Sequence, residues 1–164
     1  MPPEVRFQIH LGDQMYVDED AAASRLDEVR TRDPVDGAVV ITGGQEVVKI
    51  EDELAALAYR ICAGGAIELA NDRHAAIAYF DKPGYVRLDP EGWHVRISGD
   101  YLPEVVVERL PLVDGLLDCA DRIAALLRTA GKGEEAVLEP RIAEARAAIA
   151  AGPRTWLGEP PDPP

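Results

Sequence analysis

A chain of 164 residues suits one domain with a substantial core. Its formal net charge of −13, from 30 acidic and 17 basic residues, opposes direct binding to nucleic acid or an anionic membrane, since both depend on neutralising phosphate. No run of about 18 apolar residues can span a bilayer, no signal-type apolar stretch opens the chain and only two cysteines occur, so the expectation is a cytoplasmic protein with reduced thiols.

Val5, Phe7, Ile9 and Leu11 alternate with Arg6, Gln8 and His10, the period of a half-buried strand. Gly12-Asp13 marks a turn, and residues 15–17 can return as a short partner. Asp18-Glu19-Asp20 follows. The spacing and glycine of an EF-hand are missing, so these carboxylates are expected in solvent, near a helix N-terminus, rather than on a cation. Residues 21–32 read as a marginal surface helix, or a partly irregular segment, with Leu26 and Val29 as its chief apolar residues. Asp33-Pro34 and Asp36-Gly37 end it.

Residues 39–42 and 45–50 read as a hairpin joined by Gly43-Gly44. That pair lacks both the Walker ending and the dinucleotide-binding spacing, so it is no phosphate loop. Residues 51–63 read as a helix with the stripe Leu54, Leu57, Ala58 and Ile61, acids in its first turn and Gly64-Gly65 at its end. Residues 66–70 suggest a short strand before the turn 71–74.

Three runs, 75–80, 85–88 and 93–98, are separated by Asp81-Lys82-Pro83-Gly84 and Asp89-Pro90-Glu91-Gly92, each with turn chemistry. Two four-residue loops predict that Ile77 faces Leu88, Tyr79 faces Val86, Val86 faces Val95 and Leu88 faces Trp93. One face then carries Ile77, Tyr79, Val86, Leu88, Trp93, Val95 and Ile97. The other carries Ala78, Phe80, Tyr85, Arg87, His94 and Arg96, with Arg87 opposite His94 and Tyr85 opposite Arg96. That second face reads as a solvated surface or, since Tyr and Arg recur at interface hot spots, as a recognition surface. Residues 104–109 suit a further strand. Pro111 then opens a helix with the stripe Val113, Leu116, Leu117, Ala120, Ile123, Ala124 and Leu127, closed by Gly131.

Residues 134–151 form a last helical region with Val137, Leu138, Ile142, Ala145 and Ile149 near one face, and Pro140 predicts a kink or restart. The final 13 residues contain five prolines and read as an extended tail, in which Trp156 is either a buried anchor or a docking point.

Chemistry finds no constellation. His10, His74 and His94 have no metal-ligand spacing, Ser24 and Ser98 sit in no nucleophile elbow, and Cys62 and Cys119 fall at core positions of predicted helices. No catalytic residue, metal or cofactor is assigned.

The expected fold is α+β, residues 1–152 forming one domain and 153–164 a tail. An antiparallel sheet of the N-terminal strands, the Gly-Gly hairpin and the meander packs on one face against two or three helices. The expected function is a non-enzymatic binding protein whose acidic surface engages a basic protein, as an immunity protein or antitoxin does. The residues proposed for that contact are Asp13, Asp18, Glu19, Asp20, Phe80, Tyr85, Arg87, His94, Arg96 and Trp156. The alternatives are a subunit or adaptor of a larger assembly, using an apolar sheet face or the tail, and a domain binding a small anionic ligand near His94 and Arg96.

Overall fold

The computed structural model describes residues 2–12 and 15–151. Asp13 and Trp156, both named above, and the tail 153–164 lie outside these residues.

Two antiparallel four-stranded sheets form, where the sequence suggested one. The first has the order β2-β1-β3-β4, from β1 (Glu4–Leu11), β2 (Met15–Asp18), β3 (Asp36–Gly43) and β4 (Glu46–Glu53). The second runs β5-β6-β7-β8, from β5 (Ala75–Ala78), β6 (Tyr85–Glu91), β7 (His94–Gly99) and β8 (Val105–Glu108). The division follows from chain order: between β4 and β5 lies a helical rod, residues 54–70, which carries the chain away before the meander starts. The sheets still meet, because a Cβ added at Gly43 of β3 would lie 2.6 Å from Cγ1 of Val107 in β8. Glycine is what allows that approach.

The meander keeps the predicted faces but not the predicted partners. Ile77 lies opposite Val86 and Leu88 opposite Ile97, not Trp93. Asp89, Pro90 and Glu91 belong to β6, and Gly92-Trp93 forms a tight turn with Gly92 at φ +62°. Pro90 is tolerated because it lies beyond the end of β5, where β6 is paired on one side. Both slips are by an even number of residues, so Val86, Leu88, Val95 and Ile97 remain fully buried, while Trp93 is only half-buried. On the outer face Arg87 stands opposite Ser98 and Arg96 opposite Asp89, replacing the predicted Arg87–His94 and Tyr85–Arg96 pairs.

The first hairpin is displaced too. Gly43 pairs with Glu46, so the turn is Gly44-Gln45, and Ile41 and Val39 face Val48 and Ile50 in the core. The acids 51–53 remain strand, not a first helical turn.

The rod joins α3 (Leu54–Ala56), a π-helical segment (Leu57–Gly64) and α4 (Gly65–Ala70) without a break. It therefore runs through Gly64-Gly65, which were expected to end it, and takes in residues 66–70, which were expected to be strand. The glycines serve packing instead. A Cβ at Gly65 would meet Leu88 Cδ1 at 2.8 Å, so glycine lets the rod lie on the second sheet without displacing the Leu88 side chain.

Two short helices, α1 (Glu19–Ala23) and α2 (Leu26–Thr31), replace the single marginal one, and Val29 is fully buried. Helix α5 (Arg109–Thr129) buries the whole predicted stripe. It begins before Pro111, whose missing N–H falls among the opening groups that lack an intrahelical partner. A Cβ at Gly115 would stand 2.8 Å from Val5, which puts α5 against β1. Helix α6 (Glu135–Ala151) is continuous through Pro140; Leu138, Ile142 and Ala145 are buried, but Val137 is 63% exposed. One core joins both sheets, the rod, α5 and α6.

Candidate functional site

The acidic triplet lies at the N-terminus of α1 as expected, with Asp18 and Asp20 exposed and only Glu19 largely buried. Asp18 caps α1, its carboxylate accepting the Ala21 N–H at 2.9 Å. Glu19 accepts the Phe7 N–H at 3.2 Å and lies 3.0 Å from Nε of Arg122 on α5, an ion-pair distance off the hydrogen-bond axis. Asp20 pairs with Arg6 at 3.4 Å. Glu19 thus ties β1, α1 and α5 together.

Negative charge gathers elsewhere, around the C-terminal end of β4. Asp52 is buried there and accepts three backbone N–H groups, from Phe80 (2.7 Å), Asp81 (3.2 Å) and Glu53 (2.8 Å). Its carboxylate fastens the loop 79–84 to β4. The loop is held further by the Tyr79 hydroxyl, donating to Asp100 O at 2.7 Å, and by Lys82, whose Nζ donates to Glu51 O at 2.7 Å over the Tyr79 ring. Burial and the nearby Asp100 push the Tyr79 hydroxyl up to about 12.

Asp36, opposite Glu53 across β3–β4, together with Asp81 and Glu134, completes the patch. Partial burial, then the neighbouring acids, raise the Glu53 carboxyl above its usual range. Burial and Asp52 do the same to Asp81, and burial to Glu134. Lys82 lies 4.0 Å from Asp81 and Lys49 3.6 Å from Glu51; among the described residues Asp36, Glu53 and Glu134 have no ion pair.

Beside this patch opens a cavity of about 340 Å³ lined by Glu53, Tyr59, Arg60, Phe80, Glu134 and Val137, among others. The π-helical segment presents Tyr59 and Arg60 side by side, both exposed, where an α-helix would turn the second further round. Phe80 is 57% exposed, and the Arg60 guanidinium lies 5.3 Å from its ring centroid. Arg141 lies 4.9 Å from the Tyr59 ring. Tyr59, Phe80 and Val137 thus give this cavity an exposed apolar lining beside the carboxylates of Glu53 and Glu134 and the guanidinium of Arg60.

The remaining sequence-proposed residues are not brought into this groove. Tyr85 and Arg87 stand exposed on the outer face of the second sheet. Arg96 is paired with Glu91 at 2.8 Å and Glu104 at 3.4 Å, and His94 is opposite Glu91 and Glu108. The bond to Arg96 lowers the Glu91 carboxyl. Arg96 is thus already matched by carboxylates, leaving little attraction there for an anionic ligand.

Sequence reading missed Tyr59, Val137, Asp52 and Arg109. Tyr59 lies outside the stripe predicted for residues 51–63, and Val137 was placed on the apolar face of the last helix, 134–151. Asp52 sat among three acids of which only the alternation of β4 singles it out. Arg109 is 1% exposed; its Nη1 donates to Asp72 at 2.7 Å and to Leu69 O at 3.3 Å, joining α5 to the end of the rod. Contact with Cys119 and complete burial hold the Cys62 thiol well above its usual range, which keeps it protonated and a poor nucleophile.

Among the described residues, no group of three or more His, Cys, Asp or Glu is arranged to hold a metal ion. No described helix is long and apolar enough to cross a membrane. No protein-family model matches the chain, and neither a curated protein nor a solved structure matches it.

Proposed function

We propose that this is a non-enzymatic protein-binding module that receives a basic, partly apolar segment of a partner protein in the groove between the rod, the loop 79–84 and the start of α6. The observation that supports it is the adjacency of Glu53 and Glu134, without ion pairs among the described residues, to the exposed Tyr59, Phe80 and Val137. Carboxylates crowded against one another gain most from an incoming cation, and aromatic side chains supply apolar contact at low entropic cost. An immunity- or antitoxin-type pairing with a basic toxic enzyme is the finer form of this reading, and cytoplasmic residence goes with it. The test is affinity capture from the source cells with the parent, E53Q/E134Q and F80A proteins as bait. A basic protein retained by the parent, eluted by salt and lost from both variants supports the reading. Equal retention by all three baits rejects it.

A second reading, an assembly subunit, draws on the outer face of the second sheet, where Tyr85 and Val106 are 49% and 45% exposed. Binding that resists salt and is abolished by Y85A but not F80A would favour it.

A further inference from the structure

Across Tyr59 from the acidic groove lies a second cavity, of about 430 Å³, between the π-helical segment, β5 and α6. Arg60 lines both cavities, and in the second it is joined by Arg141, together with Tyr59, Gly64, Glu68 and His74.

Not every charge there is available. Glu68 is paired with Arg73 at 3.0 Å, and His74 Nδ1 lies 2.7 Å from Asp89. Of the two guanidinia, Arg60 has no ion pair among the described residues, and Arg141 has one that leaves its Nη2 unengaged by a carboxylate. Arg60 makes one long hydrogen bond, from Nη1 to Ala78 O at 3.3 Å. Arg141 donates through Nη1 to Glu144 at 2.9 Å, a carboxylate 62% exposed. Its Nε–H is buried and has no hydrogen-bond partner among the described residues, and its Nη2 lies over Gly64, 3.3 Å from where a Cβ would stand. Arg60 lies against the ring of Phe80 and Arg141 against that of Tyr59. A forked guanidinium matches the geometry of carboxylate and phosphate.

We propose that this cavity is a binding site for the oxyanion, carboxylate or phosphate, of a small molecule, with Arg141 and Arg60 as its donors and Tyr59 as its wall. In a chain of net charge −13 the general field repels anions, so saturable anion binding requires a local site of this kind. The site does not depend on the protein partner proposed above.

The test is titration of the full chain with inorganic phosphate and, separately, succinate, with sodium chloride holding ionic strength constant. The readouts are the arginine Nε–H resonances and the melting temperature. Saturable displacement of the Arg60 and Arg141 resonances together with a rising Tm is expected with at least one anion; in R141Q the Tm rise and the displacement of the remaining Arg60 resonance should saturate about tenfold more weakly. Saturation by phosphate alone assigns a phosphate ligand; saturation by succinate alone assigns a carboxylate. R60Q, at an exposed position, repeats the test if R141Q does not fold. No saturable effect beyond the chloride control, or equal binding by the parent and whichever of these variants fold, overturns the proposal.

Discussion

Two acidic regions of this protein invite comparison. Asp18-Glu19-Asp20 is contiguous in sequence and looks like a charged surface. In the fold every member is engaged: Asp18 as a helix cap, Glu19 as a bridge between Arg122 and the Phe7 amide, and Asp20 as the ion-pair partner of Arg6. Asp36, Glu53, Asp81 and Glu134 are scattered along the chain, yet they converge at the end of β4 around buried Asp52, three of the four without ion pairs among the described residues. A run of like charge along a chain is readily neutralised by arginines brought from elsewhere. The charge that converges only on folding is here the less matched of the two.

The largest effect should come from the residue that anchors the second region. Asp52→Ala strands three backbone N–H groups and should cost about 3 kcal/mol, with amide exchange at Phe80 and Asp81 accelerating before global unfolding. Equal protection of those amides in parent and variant would mean that the loop is held by Tyr79 and Lys82 alone. Glu19→Ala removes the Phe7 acceptor and the Arg122 pair and should cost about 1–2 kcal/mol by denaturant titration, distinguishing a bridging acid from a surface one.

Smaller, and opposite in sign, is the effect of Glu53→Gln. A carboxyl raised in the folded state contributes stability that is complete below its ordinary value and is lost as pH rises through the raised value. At neutral pH the variant should therefore melt slightly higher than the parent, and the advantage should disappear as pH falls below the ordinary carboxylate range. A lower melting temperature at neutral pH would show that Glu53 is not under repulsion. Asp20→Asn should be the mildest change, leaving the denaturant midpoint unmoved within error, because an exposed ion pair contributes little.

Much of the fold was legible because burial leaves a periodic mark. The alternation of Val5, Phe7, Ile9 and Leu11 and the helical spacing from Val113 to Leu127 both end in the core. The meander kept its faces because both register errors were even, though the true turn, Gly92-Trp93, was concealed by the turn-like Asp89-Pro90. Gly64-Gly65 misled for a physical reason. Glycine ends helices and also lets a helix approach a neighbour, and only the position of Leu88 distinguishes the two uses. The candidate groove was less legible. Phe80 was singled out, but Tyr59, Glu53, Glu134 and Val137 lie on three separate elements with no shared motif.

The sequence by itself determined the α+β class, most of the elements and which side of each faces inward, because those depend on periodicity and on turn residues within reach of one another. Tertiary structure decided that there are two sheets, that the rod continues through its glycines, and which charges are matched. Those outcomes depend on contacts between residues far apart in the chain, such as Gly65 with Leu88, Glu19 with Arg122 and Asp52 with Phe80. No local pattern encodes them.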